Sequence, residues 1–275
     1  MEINNSFLNF KRMSTSNTAY GLIKLTKNKI GYFVGCTIAK FARNIYNATT
    51  KVFNNLNIEF EVFGEKQCCG MPLIISGHEE KAKEHAKTVI DNIIKKQIPL
   101  IVTSCPACYR AFSEYYPKML NSYLPFKTYH FTQFIHEIIK EKRFNIKKIR
   151  PMKVTYHDPC ELGRYSKIYE EPRTIIKSIP SINLVELEFN REKSTCCGGG
   201  GLLKATFPQI AIEIAKEKIE TEIIPLNIDA IITACPFCYL NLKDGIRERE
   251  DSLEIYNIEE LLALTIGGKD DGKNR

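Results

Sequence analysis

The segments Ile101-Val102-Thr103-Ser104-Cys105-Pro106-Ala107-Cys108-Tyr109 and Ile231-Ile232-Thr233-Ala234-Cys235-Pro236-Phe237-Cys238-Tyr239 are two copies of one design. Each runs from a short β-branched stretch into a Cys-Pro-x-Cys knuckle. Upstream of each knuckle lie an adjacent cysteine pair and, earlier still, a single cysteine. The first set is Cys36, thirty-one residues, Cys68 and Cys69, thirty-five residues, then Cys105 and Cys108. The second is Cys160, thirty-five residues, Cys196 and Cys197, thirty-seven residues, then Cys235 and Cys238. No cysteine falls outside these sets. The halves are offset by 124, 128 and 130 residues at successive cysteine groups, and Tyr129 to Glu141 mirrors Tyr256 to Ile266. The pattern points to an internal duplication.

Within each half, apolar runs alternate with helical patterns, as in a βαβ arrangement. Strands are predicted at Ile30 to Val34, Ile58 to Phe63 and Leu100 to Thr103, then at Lys153 to Tyr156, Leu184 to Leu187 and Ala230 to Thr233. Ile38, Phe41, Ala42, Ile45, Val52, Phe53 and Leu56 recur at helical spacing, as do Ala82, Ala86, Val89, Ile90, Ile93 and Ile94. Pro172 and Pro208 mark first turns of helices. The expected fold is α/β, with two similar Rossmann-like domains, mostly parallel sheets and a pseudo-twofold relation. The first domain is expected at 29–141 and the second at 152–267, with an N-terminal extension (1–28), a linker (142–151) and a polar tail (268–275). Each cysteine group follows a strand or its short extension. The carboxyl ends of parallel strands share one edge, so three distant loops can bring five sulfurs together.

Composition is that of a globular protein: 275 residues, 44% hydrophobic and 26% charged. A net charge of +7 is dispersed over the chain, without the basic face or module that nucleic-acid binding requires. Met1 to Asn28 shows no secretory pattern, and no run approaches the ~18–20 apolar residues of a membrane span. Free thiols then point to the cytoplasm, with any membrane association made through a partner. Adjacent cysteines bridge poorly, which weighs against disulfides.

Five thiols per half is one more than a zinc site or a cubane cluster uses. An iron–sulfur centre is the leading reading. The Cys-x-x-Cys knuckles also suit structural zinc, and a lone Cys-x-x-Cys would suit a redox dithiol.

The Cys…Cys-Cys-Gly…Cys-x-x-Cys pattern resembles the cysteine-rich CCG domain. It occurs twice, as in the B-type and D-type components of heterodisulfide reductase and in iron–sulfur subunits of lactate, glycolate and anaerobic glycerol-3-phosphate oxidation systems. Tyr156-His157-Asp158-Pro159-Cys160-Glu161-Leu162-Gly163-Arg164, Asn190-Arg191-Glu192 and Cys196-Cys197-Gly198-Gly199-Gly200-Gly201 carry the likeness, which extends over about Lys29 to Gly267. The resemblance implies two [4Fe–4S] clusters of the non-cubane kind, in which a bridging cysteine accounts for the fifth thiol. It implies as metal ligands Cys36, Cys68, Cys69, Cys105 and Cys108, and Cys160, Cys196, Cys197, Cys235 and Cys238. Two departures stand out. Glu161 replaces a common histidine, and the first 35 residues carry no cysteine, so a partner must supply electrons.

Gly70, Gly198, Gly199 and Gly200 are expected to let backbone approach the cluster and offer N–H groups. His157 is a candidate for proton handling, with a loop-shaping hydrogen bond as the other reading. Arg110, Arg164 and Lys204 are candidates to meet an anionic substrate or to offset cluster charge. The resemblance implies an oxidoreductase, a subunit reducing a mixed disulfide of the coenzyme M–coenzyme B type met in methanogenesis. The alternative is an electron-transfer subunit of a flavin-linked lactate, glycolate or glycerol-3-phosphate dehydrogenase. Expected partners are a ferredoxin-type subunit, a flavoprotein or a cytochrome b, and a small disulfide or thiol.

Overall fold

The computed structural model describes residues 21, 30–141, 146–250 and 252–266. The expected extension (Gly21 apart), residues 142–145 of the linker and the polar tail lie outside them. Two four-stranded sheets are present, ordered β2-β1-β3-β4 and β6-β5-β7-β8, and every strand pairing is parallel. In the first, β1 is Ile30–Phe33, β2 Phe60–Phe63, β3 Leu100–Thr103 and β4 Lys127–His130. In the second, β5 is Met152–His157, β6 Ile182–Leu184, β7 Ala230–Thr233 and β8 Glu254–Asn257.

Burial explains this order. The central strands β1, β3 and β7 are buried at every residue, as apolar runs covered on both faces must be. The outer strands β2, β4, β6 and β8 are only partly covered. One sequence expectation shifts. Leu184 to Leu187 is apolar enough for a strand, but pairing with β5 is confined to 182–184. Val185 still donates to the Val154 carbonyl at 2.8 Å, and Leu187 then turns into the core.

Helices cover the sheets through most of their expected apolar positions, although Phe41 and Ile94, expected on those faces, are 70% and 48% exposed. Ile45, Ala48, Val52 and Phe53 are buried on the helix Arg43–Asn55, and Ala82, Ala86, Val89, Ile90 and Ile93 on Glu79–Lys95. The last helix of each half packs on the other half. Phe131–Lys140 lies against Glu170–Lys177, and Ile258–Thr265 lies against Arg43–Asn55. This exchange joins both sheets through one continuous core and makes the halves pseudo-symmetric.

Two buried polar features carry measurable consequences. Arg173 and Asp158 are 1% and 2% exposed, and the guanidinium holds both carboxylate oxygens at 2.7 Å. Its remaining donors reach Glu186 and the Tyr169 carbonyl. Asp158 in turn accepts from the Arg191 amide at 2.8 Å, fixing the loop that delivers Cys196 and Cys197. Removing one member of such a pair strands a buried charge at a cost of about 3–5 kcal/mol. Arg173→Met should lower unfolding free energy by that much in denaturant titrations; a loss under about 1 kcal/mol would mean the pair is no more than a surface bridge.

Glu259, at the seam between halves, is fully buried, and neither carboxylate oxygen meets a hydrogen-bond partner. Burial pushes its carboxyl from 4.5 up to about 8. The folded chain therefore keeps a proton that the unfolded chain releases, a contribution present below 4.5 and lost as pH rises through about 8. Glu259→Gln should flatten the decline in stability across that window. An unchanged decline in denaturant midpoint would contradict the assignment.

Candidate metal centre

The cysteines leave the sheets at the carboxyl ends of the strands. Cys36 opens the helix Cys36–Phe41 after β1, and Cys105 caps Pro106–Arg110 after β3. Cys235 caps Pro236–Glu248 after β7. In both knuckles proline takes the first helical position, where its missing N–H costs nothing. Cys108 and Cys238 follow in the first turn, at the positive end of the helix, where thiolates are favoured. Strands β1 and β3 are neighbours, yet the chain visits β2 between them. The Cys36 and Cys105 loops thus flank the point where the strand order reverses.

Within each half the sulfurs form one chain of contacts. Cys36 and Cys68 Sγ lie 3.9 Å apart. Cys68 engages Cys69, Cys69 engages Cys108, and Cys108 engages Cys105. The second half repeats the succession as Cys160, Cys196, Cys197, Cys238 and Cys235. Crowding divides their acidity. Hydrogen bonds from Cys108 and Cys68 draw Cys69 down to about 5, and those from Cys160 and Cys197 draw Cys196 to about 2. Cys36, Cys108, Cys160 and Cys238 are pushed up, first by their thiol neighbours and then by burial. Five thiolates so close repel one another unless a cationic centre replaces their protons.

All ten cysteines line a single cavity of about 480 Å³. Its wall is otherwise mostly apolar, with Phe41, Met71, Pro72, Ile75 and Leu202 among its members. A second cavity of about 310 Å³, bounded by Arg150, Asp229 and Glu254, lies near the amino ends of β7 and β8, away from every cysteine.

The glycines behave unequally. Gly70 (φ 75°) donates its N–H to Cys68 Sγ at 3.3 Å, and Gly198 (φ 78°) donates to Cys196 Sγ at 3.4 Å. These two amides point at cysteine sulfur, from a left-handed conformation that favours glycine. Gly199 is required by space, because a Cβ there would stand 2.5 Å from the Phe237 carbonyl oxygen. Gly200 has open space around it.

The charged candidates are all engaged. Arg110 is 8% exposed and crosses between halves to Glu161 at 2.7 Å, while also holding Glu114 at 3.0 Å. Arg164 donates to the Ser194 carbonyl. Lys204 lines the cavity but is held by Asp244 and by Asn241 Oδ1 at 2.9 Å. His157 is buried behind the second quintet and is not part of the cavity wall, so it does not stand where a bound substrate would take its proton. Both its ring nitrogens lack a hydrogen-bond partner, and burial lowers its pKa to about 3.

Sequence reasoning missed the struts behind the cysteine pairs. Tyr116 donates to the Cys69 carbonyl at 2.8 Å, His85 Nε2 meets the Cys68 carbonyl at 2.8 Å, and Asn241 donates to the Cys197 carbonyl at 2.6 Å. The available signal was position: Asn241 lies one helical turn beyond Cys238 on the same helix.

The glycine geometry sets up a paired test. Gly199→Ala should disrupt the second quintet, read as lost thermal stability and lost metal per chain. Gly200→Ala should leave both unchanged. Equal behaviour of the two variants would contradict the steric assignment.

A family model for the cysteine-rich domain matches residues 30–113 and 154–243. The chain is 36% identical, over 88% of its length, to the D component of dihydromethanophenazine:CoB–CoM heterodisulfide reductase from Methanosarcina acetivorans, covering 60% of that protein. It is 32% identical to the B component of fumarate reductase (CoM/CoB) from Methanothermobacter marburgensis, over 86% of this chain and 46% of that one. It is 27% identical to EtfAB:quinone oxidoreductase of Syntrophomonas wolfei, over 84% of this chain and 33% of that one. The chain thus spans about 60% or less of the length of these curated relatives. With the model matched once in each half, over well above half of its residues, the chain belongs to the cysteine-rich CCG domain family and carries the domain in duplicate.

Proposed function

We propose that the chain is an iron–sulfur oxidoreductase subunit that reduces a disulfide to two thiols at paired centres, one in each cysteine quintet. The observation that carries this reading is the single cavity lined by both quintets. Cleaving a disulfide takes two electrons and two protons. A [4Fe–4S] cluster held by each quintet would supply one electron at a time, so two centres opening on one substrate would meet the demand. The donor set fits such a group. Each quintet offers five soft thiols at one cavity, with an amide aimed at a sulfur from Gly70 or Gly198, whereas tetrahedral zinc would leave one thiol unused.

The chain's own residues prepare the cavity. Phe41, Met71, Pro72 and Ile75 give the cavity an apolar wall on the side of the first quintet. The Arg110–Glu161 pair ties the two cysteine loops across the seam and fixes their separation. The similarity to the D component of a heterodisulfide reductase supports a disulfide of the coenzyme M–coenzyme B type as substrate, with partner subunits delivering the electrons. The similarity to EtfAB:quinone oxidoreductase favours a second reading, electron transfer between a flavoprotein and a further acceptor.

Anaerobic purification with metal and sulfide analysis tests both. Two loaded quintets give about eight irons per chain. An EPR signal that appears only with added thiol supports disulfide chemistry, and full iron without that signal favours the second reading. About two zincs and no iron would overturn both. Cys69→Ser and Cys197→Ser should each remove about half of the iron; unchanged iron in both would contradict the five-thiol assignment.

A further inference from the structure

The two quintets repeat each other in cysteine order, and among the differences in their surroundings one buried position lies beside the sulfurs. His157 ends β5 three residues before Cys160, and its counterpart at the offset of 124 is Phe33, which ends β1 three residues before Cys36. Strand register agrees, with Tyr32 paired to Val102 and the matching Tyr156 to Ile232. Phe33 is occupied by aromatic packing, edge-on to Phe63 at 5.4 Å and to Phe112 at 4.9 Å between ring centroids. It has no hydrogen to give. His157 is 1% exposed, with no hydrogen-bond partner at Nδ1 or Nε2.

A buried imidazole without partners is costly, so what surrounds it matters. A ring nitrogen of His157 and the Sγ atoms of Cys197 and Cys238 all lie within 4.8 Å of one another. Lys218 and Arg164 lie nearby, and an imidazole carries an N–H in either protonation state. Lys218 is itself buried, bonded to Thr195 and Glu222 beside the Cys196–Cys197 loop. A neutral ring still has one N–H to donate. Hydrogen bonds to cluster sulfur and nearby positive charge favour the reduced, more negative state of a cluster and raise its potential.

We propose that His157 donates its N–H to sulfur of the centre held by Cys160, Cys196, Cys197, Cys235 and Cys238, making that centre the more oxidising of the two. The proposal rests on the iron–sulfur reading above. Its consequence is a direction. The second-half centre would take up the first electron, leaving the first-half centre as the stronger reductant.

The test is an EPR-monitored redox titration of the whole chain with both centres loaded. Centres are assigned through Cys69→Ser and Cys197→Ser, each of which leaves one centre intact. Wild type should show two potentials, with the higher belonging to the second-half centre. His157→Phe, which copies Phe33, should lower that potential alone by about a tenfold change in the reduced-to-oxidised ratio, or ~59 mV for one electron. His157→Gln, which keeps an N–H, should stay near wild type. In case the Phe variant fails to fold, ¹⁵N-histidine labelling of Cys69→Ser chain provides an independent reading. Its remaining centre should show one weakly coupled nitrogen that Cys197→Ser chain lacks. A chain that holds no iron overturns this proposal together with the functional reading. A chain that holds iron but shows no nitrogen coupling, a strongly coupled iron-bound nitrogen, or no shift in a folded His157→Phe variant overturns this proposal alone.

Discussion

Each half of the molecule has to bring five sulfurs from three separated loops into contact, against their mutual repulsion as thiolates. That requirement dictates most of the architecture. A parallel sheet puts its strand ends on one edge, and the two central strands hold the outermost cysteine groups in register. The adjacent pair arrives on a longer loop after the second strand of each half. There the sheet no longer positions it, and side chains take over: Tyr116 and His85 for Cys68 and Cys69, Asn241 for Cys197.

Duplication makes two such points, and the exchange of terminal helices makes them face one space. Because Ile258–Thr265 packs on the first half and Phe131–Lys140 on the second, neither sheet can rotate without exposing core. Arg110 and Glu161 add a charged tie between the cysteine loops of opposite halves. The cavity between the quintets is therefore a product of the packing between halves.

Much of this was legible in the sequence because it is periodic. The cysteine spacing exposed the repeat, and runs such as Leu100 to Thr103 and Ala230 to Thr233 announced buried parallel strands. What was not legible is non-local or breaks the period. The strand expected at Leu184 to Leu187 pairs two residues earlier, since edge pairing depends on where Met152 to Val154 runs. The π-helical segments Ala111–Tyr115 and Ile219–Ile223 continue the helices that open at Pro106 and Pro208, where the sequence offered no signal for them. Lys204, a candidate to meet an anionic substrate or to offset cluster charge, is held by Asp244, forty residues away. His157, a candidate for proton handling or for a loop-shaping hydrogen bond from its place before Cys160, is buried outside the cavity lining with both ring nitrogens unpartnered.

Departures from symmetry are as informative as symmetry itself. Phe33, packed edge-on against Phe63 and Phe112, stands where the second half has His157, a buried ring with no hydrogen-bond partner. Anomalous diffraction at the iron edge from anaerobically grown crystals tests the central claim most directly. It should reveal two groups of iron, each contacted by five cysteine sulfurs and both bordering one cavity. A single iron group, or density at the zinc edge in either quintet, would contradict it.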